Sequence, residues 1–159
     1  TVLQNEGVLF YYRYLILFQL NDFERVIRDT AHNLRICDLL EQYAADEQDA
    51  EEILQFKPYI YRMHSISQAM EHVQRKEHAE ARSILEDAID VIQTMKEVDT
   101  PAFQFERVRS VNYLRSALEQ IEETEDDPVT QLQEELDAAI QQEDYERAAR
   151  LRDHIRELS

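Results

Sequence analysis

Glycine and proline are nearly missing from this chain, with one Gly and three Pro in 159 residues. Strand-rich proteins spend both residue types on turns about every ten residues, whereas helical hairpins can turn on polar residues. The scarcity therefore excludes a β-rich fold. Ala, Leu, Glu, Gln and Arg are abundant, all are good helix formers, and together they predict an all-α class. A lone glycine, Gly7, cannot build the glycine-rich loop that cradles phosphate, so Walker-type and dinucleotide-binding loops are excluded. The single cysteine, Cys37, excludes an intramolecular disulfide and argues against a disulfide-stapled secreted scaffold. It sits in the apolar run Leu34–Leu40 and is expected to be a small buried hydrophobe.

Positive charge is also scarce. Lys and Arg number 17 against 34 Asp and Glu, for a net charge of −17. The imbalance is general: basic and acidic residues number 4 and 6 in residues 1–45, 6 and 13 in 46–100, 3 and 7 in 101–128, and 4 and 8 in 129–159. A duplex-binding protein needs Lys and Arg to displace counterions, so direct nucleic-acid binding is not expected, nor is attraction to anionic membranes. The densest apolar run, Val8 to Leu20, is thirteen residues long and contains Arg13. That is too short to cross a bilayer and lacks the layout of a signal peptide.

With hydrophobic residues at 43% and charged residues at 32%, a globular helical protein is favoured over a disordered one. The periodicity gives roughly seven helices. The first, about residues 3–20, is apolar on most faces and is expected to be central to a core or an interface. Asn21–Asp22 breaks the chain and caps a second helix from Phe23 to about Ala45. Residues 46–49 cap a short helix ending near Phe56, and Pro58 opens a helix to about Gln74. After a turn at Arg75–Glu77 a helix runs from His78 to about Glu97, with Ala81, Ile84, Leu85, Ala88, Ile89 and Ile92 on one face. Thr100–Pro101 starts a helix to about Ile121, whose apolar stripe reads Phe105, Val108, Val111, Leu114 and Leu118. The predicted organisation is a helical-hairpin body over 1–121, an acidic linker over 122–127, and a C-terminal hairpin over 128–159.

A weak echo recurs at three turns: Asn21–Val26, Lys76–Ala81 and Glu143–Ala148. Each has an acidic residue, then a ring, then two mostly polar positions and a small or branched apolar residue. The acid can cap the new helix, the ring can cover the turn, and the small residue lets two helices approach. The pattern resembles the inter-helix turn of tetratricopeptide repeats. The first copy departs from that family, with Thr30 and Asn33 where apolar or small residues belong, and the copies follow no fixed period. Convergent packing of helical hairpins is the preferred account, so these are TPR-like hairpins at most.

The last segment carries the clearest signal. Leu132, Leu136, Ala139 and Ile140 form the apolar stripe of one helix, and Ala148, Leu151, Ile155 and Leu158 that of the next. Glu143 and Asp144 turn and cap the chain, Tyr145 covers the junction, and Ala139, Ala148 and Ala149 permit close backbone approach. Arg152 and Asp153 suit salt bridges across the packed faces or to a partner. The run Glu143-Asp144-Tyr145-Glu146-x-Ala148-Ala149-x-Leu151-Arg152-Asp153-x-Ile155 closely resembles the UVR motif. That motif is found at the ends of bacterial nucleotide-excision repair subunits, in linkers of Clp-family unfoldases and in their kinase-associated adaptors. In the family the hairpin pairs with another hairpin or with a partner protein, and the resemblance implies the same here. The helicase, nuclease and ATPase bodies of better-known relatives have no counterpart in this sequence, and one cysteine cannot make the zinc-type cysteine pairs of the adaptor relatives. Neither DNA repair nor protein quality control therefore carries over with the motif.

Other chemistry finds little support. A di-iron bundle needs inward-facing Glu-x-x-His pairs, and none of His32, His64, His72, His78 or His154 has Glu three residues before it. No Ser or Cys stands on a recognisable nucleophile turn. The aromatic cluster Phe10–Tyr11–Tyr12–Tyr14 with Tyr59, Tyr61 and Tyr113 is expected to be core. If it lines a groove instead, the ligand expected there is an amphipathic helix or peptide. The expectation is thus a non-enzymatic, cytoplasmic bacterial adaptor with no cofactor or metal. It would bind a protein partner, or a second copy of itself, through Leu136, Ile140, Tyr145, Ala148, Leu151, Arg152, Asp153 and Ile155. The alternative is an accessory factor of nucleotide-excision repair recruited through the same hairpin.

Overall fold

A computed structural model describes residues 2–159 of the chain. Its described residues form eight α-helices and no strand: α1 Val2–Gln19, α2 Phe23–Tyr43, α3 Glu47–Leu54, α4 Lys57–Gln74, α5 His78–Thr94, α6 Pro101–Asp126, α7 Pro128–Gln141 and α8 Tyr145–Leu158. The class is all-α and built of helical hairpins, as expected. The boundaries follow local chemistry. Asp46 accepts from Gln48 N at 2.8 Å to start α3, and the Thr100 hydroxyl accepts from Phe103 N at 3.2 Å to start α6. Pro58 and Pro128 occupy the first turns of α4 and α7, where no intrahelical N–H is required of them.

The chain divides into two compact units, Thr1–Leu118 and Glu119–Ser159. The acidic stretch expected as a linker over 122–127 is helical as far as Asp126, and Asp127 is the N-cap of α7. Acidity alone does not break a helix. Without Gly or Pro the residues after Ile121 continue α6 until Pro128 ends it.

In the first unit α2 is central, packing against α1, α3 and α4, and α4 packs in turn on α5. One apolar cluster joins Cys37, Ala50, Leu54 and Ile60, and another joins Tyr14, Val26 and Met63. Cys37 is a buried hydrophobe, and burial pushes its thiol up to about 12. Two apolar faces differ from the sequence expectation. In α1 only Tyr14 is buried, while Val8, Leu9, Tyr12 and Ile16 are all at least half exposed. The helix is therefore peripheral, because its extensive packing is along α2 alone. In α6 the buried face runs through Phe103, Ser110, Val111 and Leu114, and Phe105 and Val108 are exposed. Residues 103, 110, 111 and 114 share a side of a 3.6-residue helix that 105 and 108 do not.

The third difference is polar. Asp29, Thr30 and Asn33 of α2 are all buried. Asp29 is held by a bidentate contact from the Arg13 guanidinium, with Arg28 Nε at 3.5 Å. The contact raises the pKa of Arg13, the hydrogen bond to Asp29 being the main cause. Asn33 Nδ2 donates to Gly7 O at 3.2 Å. The Thr30 hydroxyl donates to Val26 O at 2.7 Å, so at 2.9 Å from His64 Nδ1 it acts as acceptor and the imidazole carries its proton there. This polar face ties α1 and α4 to α2.

Two outcomes follow. Replacing Arg13 by Ala leaves a fully buried carboxylate with a weaker partner. It should cost about 2 kcal/mol in urea denaturation, less than a fully buried pair because Arg13 is itself half exposed. Desolvation lowers the pKa of His64 from 6.5. The unfolded chain thus binds more protons than the folded one below that pH, and stability is lost as pH falls through 6.5. A His64→Gln variant should show a shallower loss of stability than the parent between neutral and mildly acidic pH.

Candidate functional site

The C-terminal unit is organised by two caps and one tight turn. Asp127 accepts from Val129 N at 3.4 Å and Thr130 N at 3.3 Å, and the Thr130 hydroxyl donates to it at 2.8 Å. These bonds lower the pKa of Asp127, that from the Thr130 side chain most of all. At the other end of α7 the chain reverses within three residues. Glu143 adopts φ 58°, Glu143 N donates to Ile140 O at 3.0 Å, and Asp144 N donates to Ala139 O at 2.9 Å. This is a Schellman turn with a non-glycine residue in the left-handed position. Asp144 then serves as N-cap of α8, accepting from Arg147 N at 3.1 Å.

The same turn closes two hairpins of the first unit. Asn21 (φ 57°) and Lys76 (φ 61°) take the left-handed position, and the next residue bonds back to Leu17 O and to His72 O, each at 2.9 Å. The echo read in the sequence is thus a repeated backbone geometry. The acid following the left-handed residue caps the next helix with its side chain at Asp22 and Asp144, but not at Glu77, whose carboxylate meets His72 Nδ1 at 2.5 Å. The fourth helical residue, Val26, Ala81 or Ala148, is buried each time. The ring is less uniform: Phe23 is buried against Phe18, whereas Tyr145 is 66% exposed and does not cover its turn.

Helices α7 and α8 pack together, and among α7 and α8 only Ala139 and Ala148 are buried. Two alanines at the contact allow the backbones to approach closely. Leu136, Leu151 and Ile155 are half-buried, and Ile140 is half exposed, as is Leu158. Arg152 and Asp153 are exposed and bond to each other, Nη2 to Oδ1 at 3.1 Å, so they do not bridge the packed faces. An ion pair that joins the two helices is Arg147–Glu135 at 3.4 Å, which the sequence pattern did not single out. Both partners are about half exposed, so the pair orients the hairpin more than it stabilises it.

Compared with protein-family models, residues 126–159 match the one described as the UvrB/uvrC motif. The C-terminal hairpin is a UVR motif. The match leaves residues 1–125 outside it. Comparison with curated proteins gives no match, and comparison with solved structures gives none either. Among the described residues no three His, Cys, Asp or Glu side chains are grouped so as to hold a metal ion, and no helix is long and apolar enough to cross a membrane.

The left-handed residue of the UVR turn provides a check on this geometry. An L residue other than Gly or Asn pays a steric penalty there, of about 1 kcal/mol. Glu143→Gly should therefore raise the hairpin's urea midpoint by an amount worth about 0.5–1 kcal/mol, and Asn21→Gly should change stability less, because Asn tolerates positive φ.

Proposed function

We propose that the protein is a non-enzymatic interaction adaptor whose UVR hairpin pairs with a second hairpin, supplied by another copy of the chain or by a partner protein. One observation carries this reading. The hairpin hides two alanines at its centre and leaves the large side chains around them, Leu136, Ile140, Leu151, Ile155 and Leu158, half-buried or exposed. A two-helix unit of this size buries little apolar surface by itself, and a second hairpin laid on those side chains supplies what is missing. Tyr145 and the Arg152–Asp153 pair then form the rim of the contact, with Ala148 beneath it. The TPR-like hairpins of residues 1–121 belong to the same reading, as the body that the hairpin connects to a partner. A bacterial, cytoplasmic setting goes with it and rests on the contexts in which the motif occurs.

A second reading, an accessory role in nucleotide-excision repair, is favoured by the description of the matched family. The charge distribution weighs against direct contact with DNA, since acidic residues outnumber basic ones in every segment. In that role the hairpin would recruit the chain to a protein subunit and not to the duplex.

Light scattering after size exclusion tests the pairing. Ile140→Asp with Leu158→Asp alters two half-exposed positions, so the hairpin should keep its helicity. The full chain should run at twice its 19.0 kDa and the double variant at 19.0 kDa. Self-pairing is rejected if both run as monomers, which leaves the hairpin of a partner protein, and self-pairing through this hairpin is rejected if the double variant still runs as a dimer.

A further inference from the structure

The first unit contains a cavity of about 540 Å³ lined by residues from α1, α2, α3, α4 and α6, a size typical of small-molecule sites. Its walls are aromatic. Tyr11 is central, with ring centroids 5.4 Å from Tyr12, 5.6 Å from Tyr14 and 5.8 Å from Tyr59. The aromatic side chains expected to be core are therefore divided: Tyr14 is buried, and Tyr11 and Tyr12 face an open space.

Three buried polar atoms of its lining have no hydrogen-bond partner. Asn33 spends its amide nitrogen on Gly7 O, and its Oδ1 is buried and unbonded. The Tyr14 hydroxyl and Glu106 Oε2 are also buried and unbonded. Burial raises the pKa of Tyr14 far above the usual range, so its hydroxyl remains neutral. The Asn33 side chain opposes that shift slightly, which makes the two groups neighbours, yet they do not meet at hydrogen-bond geometry. A buried acceptor without a partner is unfavourable and calls for a donor.

Charge selects the donor. Glu52 and Glu106 line the cavity against one guanidinium, Arg109, which lies 3.8 Å from the other Glu106 oxygen and is well exposed. Arg62, buried and acting electrostatically on Glu106, lies over the Tyr59 ring at 4.6 Å but does not line the space and leaves Glu106 Oε2 without a hydrogen bond. An anion would meet unbonded oxygens there. A primary ammonium offers three N–H donors, and aromatic walls favour a cation. We propose that this cavity binds a small organic ammonium ion with an aromatic or branched apolar body, the ammonium facing Asn33, Tyr14 and Glu106 and the body facing Tyr11, Tyr12 and Tyr59.

The chain's only glycine forms part of the wall. Gly7 lies inside α1, where Ala or Leu would favour the helix. A β-carbon built on it meets only Asn33 Oδ1 within 4 Å, at 3.9 Å, so a side chain can start there without a clash at its first atom, beside the cavity that Gly7 lines.

The test is calorimetric titration of the full chain with 2-phenylethylammonium and its neutral isostere 2-phenylethanol. Saturable one-site binding is expected, with the ammonium favoured by about tenfold or more. Glu106→Gln should abolish that preference, and Gly7→Leu should abolish binding while the chain melts no lower than the parent. Glu157→Gln, a charge change in the C-terminal hairpin, should leave binding unaltered, which separates the site from general attraction to a chain of net charge −17. Absence of saturable binding, equal affinity for the two probes, or equal weakening by the Glu106 and Glu157 changes would overturn the assignment. A capped Phe-Lys-Phe tripeptide presents the same ammonium on a peptide, and tighter binding of that probe would overturn the assignment to a free amine.

Discussion

Asp29 is a fully buried carboxylate in the helix around which the first unit is built. A carboxylate cannot remain ionised in a protein interior without a partner of opposite charge and hydrogen bonds to its oxygens. Arg13 supplies both, and it must come from α1 to do so. That requirement fixes where α1 lies along α2. The neighbouring polar groups fix the rest, since Asn33 bonds the backbone of α1 at Gly7 and Thr30 bonds His64 of α4. Apolar packing alone is tolerant of small slides between helices, whereas three directional contacts within about one turn of α2 hold α1 and α4 to one register.

The same register explains why α1 buries so little. Tyr14 and the partly buried Leu17 and Phe18 reach the cluster around Val26 and Met63, and the face opposite Tyr14, with Leu9, Tyr12 and Ile16, stays exposed. It also shapes the cavity. Asn33 has its nitrogen committed to Gly7, which leaves its oxygen beside the Tyr14 hydroxyl in the space that α1 does not fill. The cavity is thus a consequence of the polar contacts that position α1.

The sequence made legible what depends on local chemistry. Pro58 and Pro101 mark helix starts, Asp22, Asp46 and Asp144 mark caps, and Cys37 behaves as its apolar neighbours imply. The UVR hairpin was also legible, because its stripe, turn and cap lie within one short segment. What was not legible depends on partners distant in sequence. Thr30 and Asn33 looked like departures from an apolar pattern, and only His64 and Gly7 make them a buried polar face. Arg13 looked like an interruption of an apolar run until Asp29 paired with it. The α6 stripe through Phe105 and Val108 had the right spacing on the wrong side, since periodicity gives a face but not which neighbour it meets.

The two units answer the same shortage of glycine in the same way and diverge in what surrounds it. Asn21, Lys76 and Glu143 each enter the left-handed region so that a Schellman turn can pass directly into the next helix. At Asn21 and Lys76 the hairpins so formed have further helices to pack on, and their fourth residues, Val26 and Ala81, are fully buried. At Glu143 the hairpin has α7 and α8, and the apolar side chains flanking Ala139 and Ala148 stay half-buried or exposed. A turn that carries steric strain persists only where surrounding contacts hold it. In the first unit those contacts lie within the chain. In the UVR hairpin the fully buried side chains of α7 and α8 are two alanines, so the stability of that turn should depend on whatever covers the half-buried and exposed Leu136, Ile140, Leu151 and Ile155. Pairing with a second hairpin would then stabilise the fold of the unit and form the complex in a single step.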